Sequence, residues 1–306
     1  MEVKKKHHYV MQNYLSRWKG KGTSKKEGVW VKNISQKSTY FCTDLNSIAQ
    51  INYFYELHLD QDTFGLLLYR YEKYEQCKSS LQLLSTLVEI DEYKKKKLLN
   101  HEKMNVFNTN ILEDSYSRLE RNLAKILQSI DKNLSGYINK LIFNEANLSD
   151  LILLFIVQLF RTRAMKELLD KEMRSIYVNY GDGAKGLLLK QKDNYLKASL
   201  YLDSIVTSSK FCSEKYSIEI LINNNSTLLV TADAPAIVIS KQKDWELSKF
   251  VGYMPLTPRI GMIVRGHQPL NKSLIVRVID QREVLKLNKL TKNSFCKQVY
   301  SKVKLK

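Results

Sequence analysis

Asn147-Leu148-Ser149-Asp150-Leu151-Ile152-Leu153-Leu154-Phe155-Ile156-Val157-Gln158-Leu159-Phe160-Arg161 is the stretch on which the fold turns. Asn147 followed by Asp150 reads as an N-cap with an acid in the first turn. The helix it opens is expected from Leu148 to about Leu169. Its start is apolar on every side, and a helix of that kind sits in the centre of a core. Into this apolar run the sequence inserts Gln158 and, three residues later, Arg161, in line with Leu154 and Met165. A buried guanidinium needs a carboxylate partner or an anionic ligand, because an unpaired buried charge is very costly.

Upstream of this helix the pattern stays helical. Tyr116, Leu119, Leu123 and Ile130 recur, with Ile111 or Leu112 before them and Ile126 or Leu127 between, at spacings of three and four. Glu113 and Glu120 lie two turns apart on the same side of that helix. Either one could pair with Arg161, or the two could be a solvated flank. Leu134, Ile138, Leu141 and Ile142 predict a shorter helix next. Downstream, Gly181-Asp182-Gly183 is expected to break the helices, and Leu187 to Leu202 reads as mixed.

Beyond it the period changes to two. Ser217–Ile222 and Thr227–Thr231 flank Asn223-Asn224-Asn225, which predicts a hairpin. Ala236–Ile239, Ile260–Val264 and Leu274–Ile279 predict three more strands. Pro255-Leu256-Thr257-Pro258 reads as a rigid extended connection. Val284, Leu287, Leu290 and Phe295 predict a last helix reaching toward Tyr300. At the other end, Val29–Ile34 and Ser38–Cys42 read as a short antiparallel pair. The expected fold is α+β: a helical middle packed against an N-terminal hairpin and a C-terminal antiparallel sheet. We expect one integrated domain over 1–306, made of an arm and hairpin (1–58), a helical region (59–205), and a sheet with a final helix (206–306).

Lys4-Lys5-Lys6-His7-His8-Tyr9-Val10-Met11-Gln12-Asn13-Tyr14-Leu15 is the most unusual segment. Adjacent side chains of a strand point to opposite faces, so His7 and His8 should meet different surroundings. The aromatic and aliphatic residues from Tyr9 to Trp18 predict an ordered, packed segment rather than a loose tail. An imidazole here could carry a proton near neutral pH. Asp233, in Thr231-Ala232-Asp233-Ala234-Pro235, follows a strand end, where scaffolds often present reactive groups. Such an Asp is more often a turn residue that accepts backbone N–H bonds than a catalyst.

The net charge is +18, from 49 Lys and Arg against 31 Asp and Glu, which favours polyanionic partners: nucleic acid first, an anionic membrane surface second. The four cysteines are dispersed with no CxxC pair, which argues against a zinc ribbon and suits a reducing cytosol. No apolar segment follows the charged N-terminus. The run Leu151–Val157 is far shorter than the ~18 residues of a membrane span. A cytoplasmic protein with no membrane span is expected. The sequence has no Walker glycine loop, GxSxG, HExxH or dinucleotide fingerprint.

Taken in order, these residues carry a resemblance. His7-His8-Tyr9-Val10 with Gln12, Tyr14 and Leu15 resembles the His-His-Tyr-Val-Pro-Gln-Phe-Tyr-Leu opening of a bacterial family known as domain of unknown function 4238. Asn46 with Ile48 and Phe54-Tyr55 resembles its next recurring stretch, and Glu113 and Glu120 match acids on its long helix. Gln158 with Arg161-Thr162 resembles its Gln-x-x-Arg-Thr helix. The turn at Asp233 resembles Thr-Ser-Asp-Asn-Pro, the segment at Pro255 resembles Pro-Leu-Ser-Pro, and Asn288 matches a C-terminal asparagine. The chain departs from the family at Met11, Ala232 and Ala234. The resemblance implies an architecture and a residue set, and no established activity.

Two functions follow as expectations. One is a nuclease-like hydrolase of phosphodiesters, with a role in phage defence or as a toxin. His7 or His8 would act as acid or base, with Glu113, Glu120 or Asp233 orienting it or holding a divalent ion. Gln12, Gln158 and Arg161 would bind substrate, Arg161 by its planar fork. The alternative is a nucleic-acid or partner-binding module in which the same residues form a buried structural network. No metal ligand set and no oligomeric state is legible.

Overall fold

The fold is given by a computed structural model of the chain, which describes residues 2–22, 25–96, 101–132, 145–177, 182–214, 216–240, 247–266, 273–294 and 296–305. The strands are β1 (Lys6–His8), β2 (Gly20–Lys21), β3 (Glu27–Asn33), β4 (Ser38–Cys42), β5 (Gln50–Asn52), β6 (Tyr216–Asn223), β7 (Thr231–Ala232), β8 (Ile237–Val238), β9 (Val251–Thr257), β10 (Ile260–Gly266), β11 (Ser273–Ile279) and β12 (Gln298–Ser301). The helices are α1 (Gln12–Leu15), α2 (Gln61–Tyr71), α3 (Lys78–Lys95), α4 (His101–Lys132), α5 (Glu145–Phe160), α6 (Arg163–Tyr177), α7 (Asp182–Ser213) and α8 (Gln281–Asn293). The fold is α+β, with the hairpin β3–β4 near the N-terminus and a C-terminal sheet. The chain divides into two compact units. The first comprises Met1–His7, Ile51–Leu119 and Met165–Ser209; the second comprises His8–Gln50, Glu120–Ala164 and Lys210–Lys306.

The first unit is helical. Asp60 caps α2 by accepting from the Thr63 N–H. Leu81, Leu84, Leu87 and Val88 form the buried stripe of α3. Arg70 forks onto both oxygens of Asp203 at 3.1 Å, and Tyr71 donates to Asp203 Oδ1 at 2.8 Å, so α2 is bolted to α7. The Tyr116 ring of α4 packs against Tyr55 and Tyr201, with centroids 4.9 and 5.7 Å away.

Among its described residues the second unit has two five-stranded sheets. One has the order β11-β6-β10-β9-β8. The hydrophobic start of α5 covers one face of it: Phe155 meets Phe250 edge-on, and a Cβ at Gly252 would overlap the Phe155 ring. On the other face, Leu221, Tyr253, Ile263 and Ile279 pack on Val284 and Leu287 of α8. Alternation along β9 and β10 therefore serves two cores at once. The second sheet runs β2-β3-β12-β7, and β4 also pairs with β3. Leu151, Ile152, Leu154, Phe155 and Ile156 are all fully buried, as expected of an all-round apolar helix.

Five local expectations change. The long helix does not run to Leu169: it ends at Phe160, turns at Arg161 and Thr162, and restarts at Arg163. Thr162 Oγ1 bonds back to the Leu159 carbonyl at 3.2 Å, which competes with the helical ladder. The segment Leu187–Leu202 is helical throughout α7, and Asp182 and Gly183 begin that helix instead of breaking one; Gln191 marks a kink. The hairpin at Asn223–Asn225 does not form. β6 has both edges taken, antiparallel by β10 and parallel by β11, so the sheet is mixed. The segment after the turn bonds elsewhere: Asn288 accepts from the Val230 N–H at 2.9 Å and donates to the Leu228 carbonyl at 2.8 Å. Pro255-Leu256-Thr257 belongs to β9. β8 reaches only to Tyr253, so Pro255 lies where the strand has one neighbour, a setting proline tolerates. Tyr300 lies in β12, not in a helix. Gly181, Phe295 and the helix expected over Leu134–Ile142 lie outside the described residues.

Candidate functional site

Six of the eight candidate residues belong to the second unit: His8, Gln12, Glu120, Gln158, Arg161 and Asp233. The N-terminal segment is ordered there, with Val10, Met11, Tyr14, Leu15 and Trp18 fully buried. The turn of α1 brings Gln12 back over His8, four residues earlier. Gln12 Nε2 donates to His8 Nε2 at 2.9 Å and to Asn46 Oδ1 at 2.6 Å. Asn46 in turn donates through its backbone and side-chain nitrogens to Asp44 Oδ1, both at 2.9 Å. An amide nitrogen only donates, so His8 Nε2 is the acceptor and the ring proton sits on Nδ1. The lone pair that a general base would use is thus occupied by Gln12.

Arg161 stands at the break between α5 and α6, and its side chain is 0 % exposed. Its Nη1 bonds Glu120 Oε1, and its Nη2 bonds the His8 carbonyl. The helix break is what lets the guanidinium reach both. Of the two glutamates the spacing offered, Glu120 is a partner; its carboxylate is 21 % exposed. One turn earlier, Gln158 is 0 % exposed, and among the described residues neither of its amide atoms has a hydrogen-bond partner. A fully buried amide without partners is uncommon and calls for an explanation.

Asp233 lies in the turn after β7. Its Oδ2 pairs with Arg163 Nη2 at 3.0 Å, and its Oδ1 accepts from the backbone N–H groups of Lys297 and Gln298 at 2.9 and 3.2 Å. The carboxylate therefore clamps the entry to β12. Burial pushes its pKa up, opposed by those backbone bonds and by Arg163. Arg163 also lies over the Tyr9 ring, 5.9 Å from its centroid. Nearby, Tyr14 donates to the Pro255 carbonyl at 2.5 Å and shares a 2.7 Å bond with Thr231 Oγ1.

His7 and Glu113 belong to the first unit. His7 is fully buried, as opposite faces of β1 require. Its Nε2 donates to the Lys4 carbonyl at 2.7 Å, and its Nδ1 accepts from the Tyr55 N–H at 2.8 Å. Both nitrogens are used, and the ring is held neutral. Burial brings its pKa down from 6.5 to about 4. His7 is thus a fastener for the N-terminal strand. Glu113 is buried on α4.

The residues that do most to hold the N-terminal segment in the first unit were not singled out from the sequence. Asn110 Oδ1 accepts from the Lys4 N–H at 2.9 Å, and its Nδ2 donates to the Glu2 carbonyl at 2.9 Å; Asp114 pairs with Lys4 Nζ at 2.6 Å. Asn108 donates to His58 Nδ1 at 2.9 Å. A signal existed: asparagines at 108 and 110 are poor helix formers, and their presence inside a long helix implies side-chain partners. Among the described residues, no group of three or more His, Cys, Asp or Glu is placed to hold a metal ion, and no helix is long and apolar enough to cross a membrane.

The model of the family described as Protein of unknown function (DUF4238) matches residues 6–304. No curated protein and no solved structure matches the chain. The chain belongs to that family.

Proposed function

We propose that this family member is a binding protein for a polyanion, nucleic acid first, whose buried polar residues hold the fold instead of turning over a substrate. One observation carries the proposal: the ionic groups of the candidate set already have protein partners. Arg161 is held by Glu120 and the His8 carbonyl, Asp233 by Arg163 and two backbone N–H groups, and both nitrogens of His7 by backbone. The excess of cations then acts from the surface, by gathering phosphates and releasing their counterions. Four free cysteines favour a reducing compartment such as the cytoplasm. The test uses labelled RNA and single- and double-stranded DNA oligonucleotides over a salt series, with Mg²⁺ or Mn²⁺ in parallel tubes. The expected result is binding that weakens steeply with salt while the strands stay intact.

A second function is favoured by Gln158 alone. A buried, unpartnered amide one turn from Arg161 is what a substrate pocket would require. In that case the chain is a phosphodiester hydrolase with His8 as the proton carrier once Gln12 turns away. A role in phage defence or as a toxin would accompany it. Strand cleavage that disappears in His8→Asn would select this function and overturn the first.

A further inference from the structure

The second unit carries a groove that none of the candidate residues line. It has a volume of about 470 Å³ and lies between α8 and the sheet face formed by β9, β10 and β11. That size is within the ~300–1,000 Å³ range of small-ligand sites. Ile239, Val251, Ile263, Leu287 and Leu290 supply its apolar floor. Arg265, Arg277, Arg282 and Lys286 supply its cations, against the carboxylates of Asp280 and Glu283.

Both acids already have partners within the protein. Asp280 caps α8 by accepting from the Glu283 N–H at 2.8 Å. Glu283 is forked by Arg277, whose Nη1 reaches Oε2 at 2.7 Å and whose Nη2 reaches Oε1 at 2.5 Å. The Nε of Arg277 bonds Glu219. The other oxygen of Glu219, Oε2, faces Arg265, whose Nη2 lies 3.5 Å from it and whose side chain is 40 % exposed. Arg282 and Lys286 stand one turn apart on α8, both exposed, and among the described residues neither makes an ion pair. The groove thus presents two exposed cations, Arg282 and Lys286, and beside them the half-exposed Arg265, over an aliphatic floor.

We propose that this groove binds a nucleoside phosphate, with the phosphate held by Arg282, Lys286 and Arg265 and the base laid on the Ile263–Leu290 floor. The ligand is a free nucleotide or one residue of a single strand; its chemistry is the same in both. The second source rests on the nucleic-acid function proposed above, and the first does not. Arg277 is a positioning residue: it neutralises Glu283 and Glu219, which would otherwise repel the phosphate.

The experiment measures affinity for adenosine monophosphate and for a labelled single-stranded oligonucleotide, using the full chain, Arg282→Glu/Lys286→Glu, and a control pair. Arg121→Glu/Lys125→Glu makes the same charge change on an exposed face of α4. We expect the groove pair to weaken binding of both ligands at least tenfold and the control pair to weaken nucleotide binding by less than twofold. If nucleotide binding is lost in the groove pair but the wild-type chain binds no oligonucleotide, the groove proposal stands and the nucleic-acid function falls. If oligonucleotide is bound and both pairs weaken it equally, with no nucleotide binding, the groove proposal falls and the nucleic-acid function stands. Absence of binding to either ligand overturns both. Crosslinking by 8-azidoadenosine monophosphate to peptides outside 239–290 would also overturn the groove assignment.

Discussion

Two regions of the second unit handle charge in opposite ways. Around Arg161 a cation is fully buried, and its fork is occupied by Glu120 and a backbone carbonyl. Around α8 the acids are occupied, and Arg282 and Lys286 face solvent. Burial makes an unmet charge intolerable, so the first region must close on itself. Solvent screens the second, so it can leave cations for a ligand at little cost. The same residue types therefore act as fasteners in one place and as a docking surface in the other.

The largest effect that should sharpen this contrast is at Arg161. Replacing it with Met strands the Glu120 carboxylate and the His8 carbonyl. We expect a loss of roughly 3–5 kcal/mol in urea unfolding. Removing Glu120 as well should recover part of that loss, and strict additivity of the two changes would show that the pair is not coupled.

Acidification should come next. His7 is held neutral with its pKa lowered from 6.5 to about 4. The unfolded chain therefore binds more protons between those values, so the stabilising contribution of neutral His7 is complete above pH 6.5 and is lost progressively as pH falls through about 4. A melting temperature that declines over this window in the wild type, and declines less in His7→Phe, is the expected outcome. Identical profiles for the two proteins would remove His7 as the titrating group.

Gln158 should respond in the other direction. Its amide has no partner among the described residues, so Gln158→Leu removes an unmet burial cost and should stabilise by about 1 kcal/mol. A loss of stability instead would mean that the amide is satisfied in solution. The smallest effect belongs to Arg282→Glu/Lys286→Glu. These exposed cations stabilise little, so the unfolding free energy should stay within about 0.5 kcal/mol of wild type. A larger drop would put them among the structural fasteners and dissolve the contrast between the regions.

Much of the fold was legible because period is a local property. The three- and four-residue spacing along α4, the all-round apolar start of α5 and the alternation of β3 and β4 each need only neighbours along the chain to be read. The same holds for the packed N-terminal segment, for the opposite fates of His7 and His8, and for the need of Arg161 for a partner. Only the tertiary structure decided which partner that was. Glu113 and Glu120 are equivalent by spacing, and that Glu120 meets the guanidinium depends on where the α5–α6 break points it. The neighbours of β6 were decided in the same way: the Asn223 turn favoured a hairpin locally, but β10 and β11 offered two full ladders, and Asn288 took the backbone that the hairpin needed. The groove had no sequence signal at all, because its cations come from two strands and a helix that are adjacent only once the sheet has formed. Local pattern determines what each segment is; competition among distant partners for the same hydrogen bonds and charges determines where it goes.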